Sequence, residues 1–99
     1  MNPSNDAPNI DEEFKKILAR KSAGEVLAQY QSRYVEAIAE FDAAIRDAEN
    51  LKEFLKTSVT CEENRAKQTQ LVELISTCYY NISACNEELV NFISLFIIK

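Results

Sequence analysis

Two seven-residue apolar repeats, one in each half of the chain, form the clearest pattern in the sequence. In the first half, apolar side chains recur at the spacing of one helix face: Leu27, Tyr34, Ile38, Phe41, Ile45 and Leu55. In the second half they alternate at intervals of four and three residues: Leu71, Ile75, Cys78, Ile82, Cys85, Leu89, Phe92 and Phe96. This spacing is typical of helices that pack along a seam. The two sets are therefore predicted to form the seam of an all-α protein, either within the chain or in a bundle.

Capping signals divide the chain into three predicted helices. Residues 1–9 are polar, contain both prolines and are expected to form a disordered arm. Three capping boxes follow: Asn9 with Glu12, Ser22 with Glu25, and Thr60 with Glu63. They predict helices over 10–21, 23–57 and 61–98, with a break before Gly24. The alternative is a helix that continues through Gly24, since one glycine costs a helix only about 1 kcal/mol relative to alanine.

The connection between the second and third predicted helices is only about four residues long, so these helices are expected to fold back antiparallel. The predicted fold is a long, coiled-coil-like antiparallel hairpin with a short N-terminal helix. We expect it to complete a three- or four-helix bundle by oligomerisation. The apolar segment 92–98 would extend past the second helix, and Phe14, Ile17 and Leu18 of the first helix are expected to cover it.

Charge is distributed unequally between the two long predicted helices. Residues 25–67 contain fifteen charged side chains, whereas residues 68–98 contain three, all glutamates. A helix with one neighbour normally keeps a charged outer face, but this helix carries a second apolar stripe. A short first helix spans about 15 Å and would not reach Val72 or Tyr79. Another helical chain, or a second copy, is therefore expected at Val72, Tyr79, Tyr80, Val90, Ile93 and Ile97. For Tyr79 and Tyr80, the alternative is that one ring packs inside.

Composition argues against several function classes. The chain contains no histidine and one glycine, and it shows no phosphate-binding loop, nucleophile elbow or cluster of metal ligands. We therefore expect no enzymatic activity, no cofactor and no metal site. The net charge is −5, and the eleven cations are dispersed among sixteen acids rather than gathered in a basic stripe. Nucleic acid is consequently not an expected partner.

The number of cysteines indicates the redox state of the cellular compartment. An odd count of three, Cys61, Cys78 and Cys85, without a secretory signal favours reduced thiols and a cytoplasmic protein, with the nucleus not excluded. Cys78 and Cys85 are expected to fill the seam. The alternative is that they form disulfides with their own copies in a parallel homodimer. The apolar run 89–98 is about half the length that spans a bilayer, so no transmembrane segment is expected.

Three functional hypotheses follow from these patterns. The leading one is a non-enzymatic interaction module, a small helical subunit or adaptor of a larger intracellular complex. The second is a small acidic binder, such as a secretion chaperone, antitoxin or inhibitor, that acts through Glu36, Glu40 and Asp47 on one helix face. The third is membrane association through an exposed segment 92–98.

Overall fold

The computed structural model describes residues 9–58 and 62–98, without the side chains of residues 57, 58 and 98. Within these ranges the chain forms three helices and no strand: α1 (Ile10–Gln31), α2 (Tyr34–Ser58) and α3 (Glu62–Ile98). The all-α prediction is confirmed. Residues 1–8 of the predicted arm 1–9 and the predicted cap at Thr60 lie outside the described residues.

α1 begins at its predicted cap. The side-chain oxygen of Asn9 accepts a hydrogen bond from the backbone N–H of Glu12 at 3.1 Å, which satisfies one of the free donors of the first turn. Three acidic residues, Asp11, Glu12 and Glu13, occupy that turn, where the helix dipole favours negative charge. This local signal was sufficient to place the start of the helix.

The predicted break before Gly24 is wrong, because α1 continues without interruption to Gln31. The glycine has a packing role instead. A Cβ atom added to Gly24 would lie 2.7 Å from Cε1 of Phe41 in α2, so the absence of a side chain lets the Phe41 ring lie against the α1 backbone. The helix tolerates the glycine because its propensity cost is only about 1 kcal/mol.

The chain reverses direction at Ser32 and Arg33. Ser32 adopts the left-handed conformation (φ 53°, ψ 31°), and the carbonyl of Leu27 accepts hydrogen bonds from the backbone N–H groups of both Ser32 and Arg33. A serine in this conformation carries a cost of about 1–2 kcal/mol relative to glycine. Because this position is a serine and not a glycine, the sequence carries no glycine signal for the turn. The turn makes α1 a full-length partner of α2 rather than the short helix that was predicted.

α2 is the central helix and packs antiparallel to both α1 and α3. Small buried residues on α2, among them Ala37 and Ala44, allow close approach of its neighbours, and Phe41 fills the space at Gly24 of α1. The hairpin formed by α2 and α3 confirms the predicted antiparallel arrangement. The core consists of Ile17, Ala37, Phe41, Ala44, Ile45, Ala48, Leu51, Leu55, Leu71, Leu74, Ile75, Cys78 and Cys85. Of the other predicted seam residues, Leu27, Tyr34, Ile38 and Ile82 are partly buried against it.

The start of α1 lies beside the start of α3. Lys67 Nζ is 3.2 Å from Asp11 Oδ1 and 5.5 Å from the centroid of the Phe14 ring. Leu18 lies near Leu74, and Ile17 is fully buried in the core. The prediction that Phe14, Ile17 and Leu18 cover segment 92–98 is therefore wrong. The turn at Ser32 directs α1 away from that end of α3.

Candidate interaction surface

α3 is much longer than the helix it packs against. It has 37 residues and α2 has 25, a difference of about 18 Å at 1.5 Å per residue. The last turns of α3 pass the α1–α2 turn, and an open groove of about 640 Å³ separates the two. Its apolar walls come from Tyr34 and Val35 on α2 and from Leu89, Phe92 and Leu95 on α3. We refer to this feature as the end groove.

The final turns of α3 carry six large apolar side chains that are each 55% to 76% exposed: Val90, Phe92, Ile93, Leu95, Phe96 and Ile97. We call this set the apolar tip. The rings of Phe92 and Phe96 pack edge to face, with centroids 5.1 Å apart. Both were predicted to continue the seam, but they are not buried within the described chain. Because α2 begins at Tyr34 rather than at residue 23, the described part of the chain provides no second helix alongside them.

All six residues predicted to contact a partner are exposed. Besides Val90, Ile93 and Ile97, which belong to the apolar tip, they include Val72, Tyr79 and Tyr80 nearer the middle of α3. The alternative in which one tyrosine ring packs inside is not observed. Val72 lies among Lys52, Lys56 and Arg65, so its surroundings are more polar than those of the apolar tip.

Sequence reasoning included Leu95 only within the apolar segment 92–98, not among the predicted partner-contact residues, and it did not identify the end groove. Leu95 belongs to neither predicted stripe, although seven of the nine residues from 89 to 97 are apolar and only Asn91 and Ser94 are polar. Such a wide apolar face is normally buried against a neighbour, and this signal was available. The contribution of Tyr34 and Val35 depends on the position of the turn at Ser32, which no local pattern revealed.

No charged side chain lies within residues 89–97. The nearest charges along α3 are Glu87 and Glu88, both exposed and one turn before the apolar tip. Across the end groove, Arg33 Nη2 pairs with Glu36 Oε2 at 2.6 Å. Covering the apolar tip would therefore remove no ionised group of the tip itself from water, which avoids the main electrostatic cost of burial.

The acidic face of α2 is largely compensated by the chain's own arginines. Arg20 of α1 lies 3.7 Å from Glu40 and 3.2 Å from Asp47, joining the two helices. The third carboxylate, Glu36, is held by Arg33. All three acids that were considered as a site for a basic partner are thus already paired in the structure.

Cys78 and Cys85 are free thiols buried in the core. Burial raises the pKa of the Cys78 thiol; nearby Lys21 opposes this effect and Glu25 adds to it. Burial also raises the pKa of Cys85, with a smaller contribution from Glu88. Both thiols pack inside the chain. They are therefore not positioned to form disulfides with their own copies in a parallel homodimer, which was the alternative prediction.

Among the described residues, no group of three or more Asp, Glu, Cys or His side chains is arranged to hold a metal ion. In the same ranges, no helix combines the length and the apolar character required to cross a membrane. No protein-family model, curated protein or solved structure matches the chain.

Proposed function

We propose that this chain is a non-enzymatic protein–protein interaction module, a small helical subunit or adaptor that binds another helix through the end of α3. The observation that carries the proposal is the apolar tip, six large apolar side chains more than half exposed on an uncharged helix end. Helix-to-helix binding is the ordinary use of such a surface.

The exposed area of the apolar tip is unusually large for a monomer that has no partner. At about 200 Å² for a phenylalanine and somewhat less for an aliphatic side chain, the six exposed residues present on the order of 700 Å². The largest apolar patch on a typical monomer is about 300–600 Å², and larger patches usually mark interaction sites. The size of the patch therefore supports coverage by a partner.

The shape of the surface favours a helix over a small molecule. Small-molecule sites are concave and enclose most of the ligand, whereas the tip is a protruding helix beside an open groove. The apolar side chains at this end of α3 fall at helical spacing, with Leu89, Phe92 and Phe96 on one stripe and Val90, Ile93 and Ile97 on the next. Two adjacent stripes suit a partner helix packed in a bundle.

The acidic-binder hypothesis receives less support. Its three carboxylates, Glu36, Glu40 and Asp47, are paired with Arg33 and Arg20, so a basic partner would have to displace these contacts. The free thiols Cys78 and Cys85 fit a reducing compartment. We therefore include a cytoplasmic or nuclear location in the proposal.

Site-specific photo-crosslinking in the producing cell tests the proposal. A photoreactive amino acid is placed at Ile93 in the apolar tip and, as a matched control, at the exposed Arg46 of α2. We expect protein adducts from position 93 and none from position 46. Stable, folded protein without protein adducts at position 93 would contradict the proposal, and lipid adducts there would support membrane association instead.

A further inference from the structure

We infer that the occupant of the apolar tip is a second copy of this chain, bound antiparallel about a two-fold axis. This inference rests on the proposed function and specifies its partner. It is drawn from the shape, charge and area of the end of α3, which together describe a surface that complements itself.

The chain carries both a protruding element and a recess next to it. The apolar tip extends beyond the α1–α2 turn, and the end groove lies at the base of this extension, between Tyr34 and Leu89. When two copies approach antiparallel, the tip of each reaches the end groove of the other. Such a contact is isologous, with the same patch used on both copies, and it closes after two subunits.

The lengths agree with this arrangement. An overlap of residues 88–98 with the same residues of a second copy spans about 15 Å, close to the part of α3 that extends beyond α2. The middle of that overlap is Ile93, which would lie next to the two-fold axis. Phe96 and Ile97 of one copy would then lie beside Leu89 and Tyr34 of the other.

Charge selects the antiparallel orientation. Each copy has a net charge of −5, but residues 89–97 contain none of it, so the two segments can pack without opposing like charges. Glu87 and Glu88 stand at one end of the segment. In an antiparallel pair the two acidic pairs are about 15 Å apart, beyond the screening length of about 8 Å at physiological ionic strength. In a parallel pair they would be adjacent.

The exposed apolar area approaches what a dimer interface of standard size buries. A standard interface buries about 800 Å² per partner, and the apolar tip supplies on the order of 700 Å² before the walls of the end groove are added. Each chain carries both surfaces of the contact, the apolar tip and the end groove. A second copy can therefore cover the apolar tip without an additional protein.

Sedimentation velocity of the purified full chain over a concentration series is the primary test. We expect a dimer of twice 11.3 kDa at micromolar concentration. Phe96→Ser should weaken dimerisation at least tenfold. The control Val26→Ser, at an exposed apolar position of α1 far from the apolar tip, should leave it unchanged. Circular dichroism checks that both variants stay folded. A chain that remains monomeric at hundreds of micromolar overturns the inference.

Disulfide formation tests the orientation. In a cysteine-free background, Ile93→Cys should oxidise to a covalent dimer, whereas Glu87→Cys should not. Efficient crosslinking of Glu87→Cys would overturn the antiparallel arrangement.

A monomer that still gives photo-adducts with a different protein at position 93 would overturn the homodimer and leave the proposed function intact. A monomer that instead floats with phosphatidylcholine vesicles would contradict both.

Discussion

Gly24 and Phe41 lie so close together that a Cβ atom on the glycine would be 2.7 Å from Cε1 of the Phe41 ring and 2.9 Å from Cζ. Phe41 is only 1% exposed, so its ring has little room to move. The contact links the middle of α1 to α2 and explains why the single glycine of the chain occurs inside a helix.

Replacement of Gly24 by alanine should destabilise the protein. Alanine improves helix propensity by about 1 kcal/mol, but forcing a methyl group into a filled core costs about 1–3 kcal/mol. We expect a net loss of about 1 kcal/mol in the free energy of unfolding, measured by urea denaturation. Ser22→Ala, two residues away at an exposed position of α1, is the control and should be neutral or slightly stabilising. A gain in stability for Gly24→Ala would show that the contact is not tight.

A proline at position 23 distinguishes a continuous α1 from a new helix that begins at that residue. If Ser22 capped a new helix, Ala23 would be its first residue, where proline is well accepted. In the continuous α1, proline removes a backbone hydrogen bond and clashes with the preceding turn, at a cost of about 3 kcal/mol or more. We expect Ala23→Pro to lower the thermal midpoint sharply, while Ala23→Ser changes it little. Equal stability of the two variants would contradict a continuous helix.

Glycine at position 32 should stabilise the protein. Ser32 has a positive φ of 53°, which glycine adopts without the penalty that a serine carries. We expect Ser32→Gly to raise the free energy of unfolding by about 0.5–1 kcal/mol. The same change at Ser22, inside α1, should lower it by a similar amount. Loss of stability at position 32 would place the turn elsewhere.

The buried thiols should react slowly and at unusually high pH. Only the thiolate is nucleophilic, and burial raises the pKa of both Cys78 and Cys85, so less thiolate is present at any given pH than for an ordinary cysteine. In a Cys61→Ser variant, alkylation of the folded protein should be at least a hundredfold slower than in denaturant. Its rate should also continue to rise at pH values where free cysteine has levelled off. Native rates equal to those of free cysteine would show that these thiols are exposed.

Local patterns predicted the helical regions well. The capping geometry at Asn9 depends only on residues within one turn, and the repeat from Phe41 to Leu55 reports directly which face of α2 is buried. The second and third helices, predicted to end at 57 and to begin at 61, are observed to end at Ser58 and begin at Glu62.

The remaining features depend on long-range packing. The role of Gly24 follows from the ring of Phe41, which is distant in sequence, and the turn at Ser32 is held by the Leu27 carbonyl rather than by a glycine. Periodicity also shows which face of α3 is apolar but not where its neighbour ends. For that reason Phe92 and Phe96 continue the repeat and are nevertheless exposed.

Cysteine accessibility in the native assembly tests most directly whether the end of α3 is the binding surface. Single cysteines replace Ile93 in the apolar tip and Arg46 on α2 in a cysteine-free background, and a membrane-impermeant maleimide is added to freshly lysed, undiluted cells. We predict that position 93 is protected at least tenfold relative to position 46, and that dilution in denaturant removes the difference. Equal, rapid labelling of both positions in the native extract would mean that the apolar tip has no partner and would contradict the account.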